Sequence, residues 1–217
     1  MTVSIIRQPA ITTAKPEFSR AADAATIERT AEALRVRGFE VTVARDRDDA
    51  RRLVLDLLPE GAEVGQGASN TLEELGLTAE IEASGRYVAI RPRLRSMDRT
   101  TEGREIRKLG AAPDYWLNSA QAITVDGQVV IVSFGGSQLG PIVSGAGKVI
   151  LAVGAQKIVP DLETALRRVE EHSFPQESSR LQARLGMPSA INKVLILNGE
   201  VFPGRITIVL IPEAIGF

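Results

Sequence analysis

The stretch Ala62-Glu63-Val64-Gly65-Gln66-Gly67-Ala68-Ser69-Asn70-Thr71 decides how this chain folds. Ala62–Gly65 reads as a short strand, set off upstream by the turn Pro59-Glu60-Gly61, and a helix is predicted from about Asn70. A strand that runs through glycines directly into a helix is the unit from which parallel sheets are assembled.

Working outward, the same alternation recurs. Ala24, Ile27, Ala31 and Leu34 fall at helical spacing, and Gly38, after Arg35 and Arg37, marks a helix end. Phe39–Ala44 alternates like a strand, and Asp46 begins a second helix with Ala50, Leu53, Val54, Leu57 and Leu58 on one stripe. Downstream, the pattern predicts a strand at Tyr87–Ile90, a polar helix across Arg99–Leu109 ended by Pro113, and strands at Tyr115–Leu117, Ala122–Val125 and Gln128–Val132. Asp126-Gly127 is a hairpin dipeptide joining the last two. Lys148–Val153 reads as a buried strand, Pro160 as the opening of a helix with Leu162, Ala165, Leu166 and Val169 on one face, and Val194–Leu197 and Arg205–Ile211 complete the strands. The prediction is an α/β fold: a mainly parallel sheet flanked by helices on both faces, with a small antiparallel insertion near Asp126. Residues 1–17 are expected to form an N-terminal arm and 18–217 a single domain, with Ser173–Ser189 as a connector.

The 217 residues, 44% hydrophobic, suffice for one substantial core. Lysine plus arginine (26) nearly balances aspartate plus glutamate (27), so no global field draws the chain to nucleic acid or anionic lipid, and charge-driven recognition must be local. With no cysteine, disulfides, thiolate catalysis and Cys-ligated zinc or iron–sulfur sites are excluded within the chain. His172 is the single imidazole; it is read as a favourable charge near a helix end, and no metal or cofactor is expected. Met1–Lys15 lacks the apolar run of a signal peptide, and the longest apolar runs are far shorter than the roughly 20 residues that cross a bilayer, so a cytoplasmic chain without a membrane partner is expected.

The chemistry concentrates in the quoted stretch. In a strand–helix turn Gly65 and Gly67 let backbone approach a ligand, the first helical amides of Asn70 and Thr71 point outward, and Ser69 and Thr71 add hydroxyls: the parts of a phosphate or carboxylate cradle. The lysine of a nucleotide P-loop is missing, and a Gly-x-Gly without a third glycine is a weak dinucleotide signal. The alternative is an ordinary turn in which Ser69 or Asn70 caps the helix. A second cluster, Gly135, Gly136 and Ser137, follows a strand and could form the opposite wall of one cleft, since ligands in open α/β sheets sit beyond the carboxyl ends of strands. Asn118 and Ser119 end another strand and either bond a ligand or shape the turn.

These residues resemble those of the LUD-domain proteins associated with bacterial lactate utilisation. The resemblance runs from about Thr30 to Phe217 and is carried by four segments in order: Gly65–Gly76, Asp114–Gly127, Gly147–Ile150 with Gly154–Val159, and Gly204–Phe217. It implies a fold like that of ribose-phosphate isomerases and CoA transferases, in which a glycine-hydroxyl loop at a helix start binds phosphate or acyl groups. The chain has Gly136-Ser137-Gln138 where the family often has Gly-Asn-Arg, which removes a bidentate arginine contact, and Met187–Glu200 lacks the cysteines many members carry.

Glu74 matches the motif glutamate of the resemblance and is a candidate acid–base group or nucleophile, with Asp126 or Lys157 as its partner. The bland alternatives are helix-dipole compensation for Glu74, a turn role for Asp126 and a surface position for Lys157. The arginines between Arg86 and Arg107 read as a solvated face, because Asp98, Glu102 and Glu105 interleave them. The expectation is a protein that binds a small anionic metabolite in lactate or 2-hydroxy-acid utilisation. Two alternatives stay open: a freestanding isomerase, acyl-transfer enzyme or hydrolase, and a non-catalytic subunit that associates with redox subunits of a lactate-oxidation complex. A homo-oligomer also stays open.

Overall fold

The computed structural model describes residues 13–217. Its strands are β1 (Glu40–Val43), β2 (Glu63–Gln66), β3 (Val88–Ala89), β4 (Tyr115–Asn118), β5 (Ala122–Thr124), β6 (Val129–Ser133), β7 (Lys148–Gly154), β8 (Ile158–Val159), β9 (Lys193–Leu197) and β10 (Ile206–Ile211). Its α-helices are α1 (Ala24–Val36), α2 (Arg47–Asp56), α3 (Asn70–Glu74), α4 (Leu77–Ala83), α5 (Ile90–Ser96), α6 (Gly103–Ala111), α7 (Leu162–Arg168) and α8 (Phe174–Leu185). Six strands form one sheet in the order β1-β10-β7-β4-β2-β3, and every neighbouring pair is parallel. The α/β fold with a mainly parallel sheet is therefore borne out.

The strands alternate between two cores. Val149, Leu151 and Val153 of β7 join Ile27, Ala31 and Leu34 of α1 on one face, while Ile150 and Ala152 join Val54 of α2 and Leu77 and Ile81 of α4 on the other. The central strands are apolar on both sides because both faces are covered. Asp23, Asp46 and Asp161 start α1, α2 and α7, each accepting a hydrogen bond from the amide three residues on, at 2.8, 2.8 and 2.7 Å.

The antiparallel insertion is larger than the expected hairpin. β5 and β6 pair across the Asp126-Gly127 turn as predicted, but β8 adds parallel to β5 and β9 antiparallel to β6, giving a second, four-stranded sheet in the order β8-β5-β6-β9. Val194–Leu197 thus belongs to this sheet and not to the parallel one. Ile123, Val129 and Ile131 turn one face of it into the α1 core, and Ala122, Val130 and Val159 pack its other face on Ala165 and Val169.

Three local readings are corrected. The connector Ser173–Ser189 is mostly α8, which continues from α7 through the π-turn Val169–Ser173; Pro175 follows that turn, and Gly186, at φ 70°, ends the helix. The strand at Tyr87–Ile90 shrinks to Val88–Ala89, and Ile90 opens α5 with Pro92 in the first turn, so Arg91 and Arg93 lie on a helix. The helix from Asn70 stops after five residues and restarts beyond Gly76, which is left-handed at φ 67°. Most of the predicted arm, residues 1–12, lies outside the described residues; Lys15 N donates to Glu171 O at 3.0 Å and Phe18 is buried.

Gly38 ties α1 to the link between β9 and β10. It sits at φ 87°, and a Cβ built there would lie 2.1 Å from Glu200 O. Gly38→Ala is expected to lower stability by about 1–3 kcal/mol through strain at a left-handed position. Urea denaturation measures this, and an unchanged midpoint would refute it.

Candidate functional site

Two neighbouring strands of the parallel sheet, β4 and β7, leave it at their carboxyl ends and feed neighbouring strands of the second sheet, β5 and β8. Ser119–Gln121 makes the first crossing and Ala155–Lys157 the second. A pocket of about 380 Å³ opens where these crossings meet the turn after β2.

Lys157 lies at its floor and is 1% exposed. Its Nζ donates to Thr71 Oγ1 at 2.9 Å and to Ser119 Oγ at 3.1 Å, so one amine joins the β2 turn to the β4 crossing. Burial, and then the nearby Arg168 charge, push this amine well below its usual 10.5; Glu74 acts in the opposite direction and does not offset them. Lys157 is therefore a buried group, where sequence reading left open a surface one.

Arg168, fully buried on α7, is the residue that sequence reading missed as anything but helix. Its Nε donates to Gln156 O at 3.3 Å and its Nη1 to Gln121 O and to Ser173 Oγ, so it grips both crossings through their carbonyls. Burial pushes its pKa down to about 9. Among the described residues neither Lys157 nor Arg168 forms an ion pair. The signal that would have found it is a charged residue at position 168 on a helix whose Ala165 and Val169 are core.

The predicted ligand-binding residues divide. Ser69, Asn70, Thr71, Asn118, Ser119, Gly135 and Ser137 line the pocket. Gly65, Gly67 and Gly136 do not. A Cβ on Gly65 would stand 2.6 Å from the Trp116 ring, and one on Gly67 would meet Asn118 Oδ1, so both glycines make room for neighbouring side chains. Gly136 is left-handed at φ 93°, beside the Lys193 side chain. Ser69 caps α3 by accepting from Leu72 N at 3.4 Å. Gln66, buried at the end of β2, bonds Glu82 at 3.0 Å and Thr78 at 3.2 Å, which fastens α4 beneath the turn.

Of the three residues considered for catalysis, Lys157 alone lines the pocket. Glu74 is exposed, and its carboxylate accepts from Asn70 Nδ2 at 3.1 Å and from Gly216 N at 3.2 Å, which ties the C-terminal segment down over Thr71. Asp126 is exposed in the hairpin turn at the other end of β5, and its carbonyl accepts from Arg37 Nε at 2.5 Å. The side chains of Arg86, Arg91 and Arg95 pair with Glu80 or Glu82, as a charge-balanced surface would. His172 is buried, and its expected favourable charge is not found: burial and Arg168 lower its pKa. Its Nδ1 lies 2.8 Å from Lys15 O, which accepts only, so Nδ1 carries the proton and Nε2 accepts from Gln176. Among the described residues no cluster of His, Cys, Asp and Glu is arranged to hold a metal, and no helix is long and apolar enough to cross a membrane.

A second, more open groove of about 520 Å³ lies beside Arg37, Glu200 and Arg205. Arg205 and Glu200 neutralise each other at 2.7 Å, and Arg37 keeps its charge but directs Nε and Nη1 to carbonyl oxygens.

The model of the LUD domain matches residues 27–211. The chain belongs to the LUD-domain family. Among solved structures it is similar to a DUF162 family protein from Deinococcus radiodurans, at 13% identity and a TM-score of 0.54, over 88% of this chain and 99% of that one. That likeness concerns the fold alone. No protein with a curated description matches the chain. Family membership supports a role related to lactate utilisation at the level of the family.

Two expected outcomes test this geometry. The folded Lys157 pKa lies below 10.5, so between those values the unfolded chain binds more protons and the Lys157 contribution to stability becomes more favourable as pH rises. Relative to Lys157→Met, the wild type should therefore gain stability as pH climbs toward 10.5; a difference independent of pH would show that the amine keeps its charge inside the fold. Gly65→Ala should cost about 1–3 kcal/mol by overpacking against Trp116, and a neutral effect in urea denaturation would return Gly65 to the ligand.

Proposed function

We propose that this LUD-domain protein binds a small carboxylate- or phosphate-bearing metabolite in the pocket between the Ser69–Thr71 turn and the Gly135–Ser137 loop, in the service of 2-hydroxy-acid oxidation. The observation that carries this reading is Lys157: a buried amine at the pocket floor, held by two hydroxyls and in no ion pair among the described residues, with Glu74 too weak to offset its burial. An uncompensated buried cation is costly, and a ligand anion would relieve that cost. Arg168 behind it adds positive potential, while its own donors are taken up by carbonyl and hydroxyl oxygens. A bound anion favours the charged form of Lys157, and Ser119 and Thr71 supply hydroxyl donors to it.

The five-residue α3 is too short to supply much dipole, so the affinity of the turn for an anion rests on Lys157 and the hydroxyls. If the chain is catalytic by itself, in acyl transfer or isomerisation, Lys157 is the acid–base group within reach of the ligand, in place of Glu74. As a subunit of a redox assembly it would present the bound acid to a partner that carries the electrons.

A thermal-shift screen with 2-hydroxy acids, sugar phosphates and CoA esters tests the reading. A ligand at a hundred times its Kd stabilises by about 2.7 kcal/mol, which raises Tm by roughly 5–10 °C for a chain of this size. Lys157→Met, which keeps the buried volume, should abolish the shift. If no anion moves the wild type, or the variant responds equally, the proposal fails.

A further inference from the structure

The pocket is two-sided. Its floor is polar: Ser69, Thr71, Asn118, Ser119 and Lys157. Its opposite wall is one face of α8, where Phe174, Glu177, Leu181, Arg184 and Leu185 recur at helical spacing, joined by Phe134 from the loop after β6. Leu185 is 62% exposed and Phe134 42% exposed, so this wall holds large apolar groups that the fold itself leaves uncovered. Glu177 neutralises Arg180 through two bonds of 2.8 and 2.9 Å, while Arg184, next to Leu185, makes no ion pair among the described residues and places a positive charge at the mouth.

Volume points the same way. At about 30 Å³ per water-sized group, 380 Å³ holds on the order of a dozen heavy atoms, about twice what a three-carbon hydroxy acid brings. A short acid would fill the floor and leave the α8 wall facing water. An acid with an apolar tail would complement both sides at once.

Resting on the anion-binding reading above, we propose that the ligand is an amphipathic acid: a single anionic head on the Thr71, Ser119 and Lys157 floor, and an aliphatic or aromatic tail laid along Phe134, Leu181 and Leu185. Those three side chains set specificity by tail length and leave the anchoring of the head unchanged. Ligand entry removes Leu185 and Phe134 from water, and the Arg184 charge at the mouth orients the approach.

The test is calorimetric titration of the full chain with straight-chain 2-hydroxy acids of three to about eight carbons, where each fully buried methylene should tighten binding about fourfold. The double variant Phe134→Ser with Leu185→Ser alters exposed positions only, so it should fold, and it should flatten the series while still binding the shortest acid with wild-type affinity. A wild-type series that is flat while the shortest acid binds overturns the tail and leaves the anion site standing. A series that climbs equally in the double variant overturns the placement along α8. If no member binds, the anion-binding reading falls, and this one with it.

Discussion

Everything at the centre of this molecule depends on one constraint: two adjacent parallel strands must leave one sheet together and enter another together. β4 and β7 are neighbours in the first sheet, and their continuations β5 and β8 are neighbours in the second. The connecting peptides therefore run side by side through the interior; Gln121 N still reaches Val130 O of β6 at 3.0 Å, but the carbonyls of Gln121 and Gln156 take their donors from a side chain. Arg168 provides them, bonding Gln121 O on one crossing and Gln156 O on the other. Its planar fork suits that task better than a lysine would, since several donors diverge from one rigid group. Pushed down only to about 9, its pKa still leaves it charged at neutral pH.

That solution has a consequence for the next residue inward. Lys157 sits on the same crossing, already desolvated, and the Arg168 charge disfavours a second cation beside it. The fold thus holds an amine biased toward its neutral form, ringed by hydroxyls and open on one side to a pocket. Such a group responds to what enters. On the proposed reading, an anion there would favour the charged amine, whereas an uncharged guest would gain only hydroxyl contacts. The chemistry of the site grows from the way the sheets are joined more than from the glycine-rich turn, whose Gly65 and Gly67 are spent on Trp116 and Asn118.

Sequence periodicity carried the parallel sheet and its main helices because apolar spacing reports burial directly, as in Leu34 on α1 and Ile150 and Leu151 on β7. It misplaced Ser173–Ser189 because proline and serine serve both helix starts and connectors, and only the buried faces of Phe174 and Ser178 distinguish the two. Val194–Leu197 looks the same whichever sheet it joins, since pairing partners are not written in a strand's own composition. At the site, Ser69, Thr71, Asn118, Ser119 and Ser137 were legible from their position at strand ends. The depth of Lys157 and the part played by Arg168 were not, because a basic residue beside Gln156, or beside a second arginine at position 167, reads as surface until the opposing layer is known.

The two halves of the pocket are built at different depths, and this separates stability from specificity. The floor belongs to crossings that the whole topology requires, so replacing Ser119 or Lys157 disturbs bonds between the β2 turn, β4 and β8. The wall belongs to a loop and to a helix whose far end, around Leu185, is exposed. Side chains there can change with little cost to the core, as is usual for residues on mobile or peripheral segments carried by a rigid scaffold. On the proposed reading, a chain of this design would keep one anchoring chemistry, a head held by an amine and two hydroxyls, while α8 set the length and shape of what it accepts.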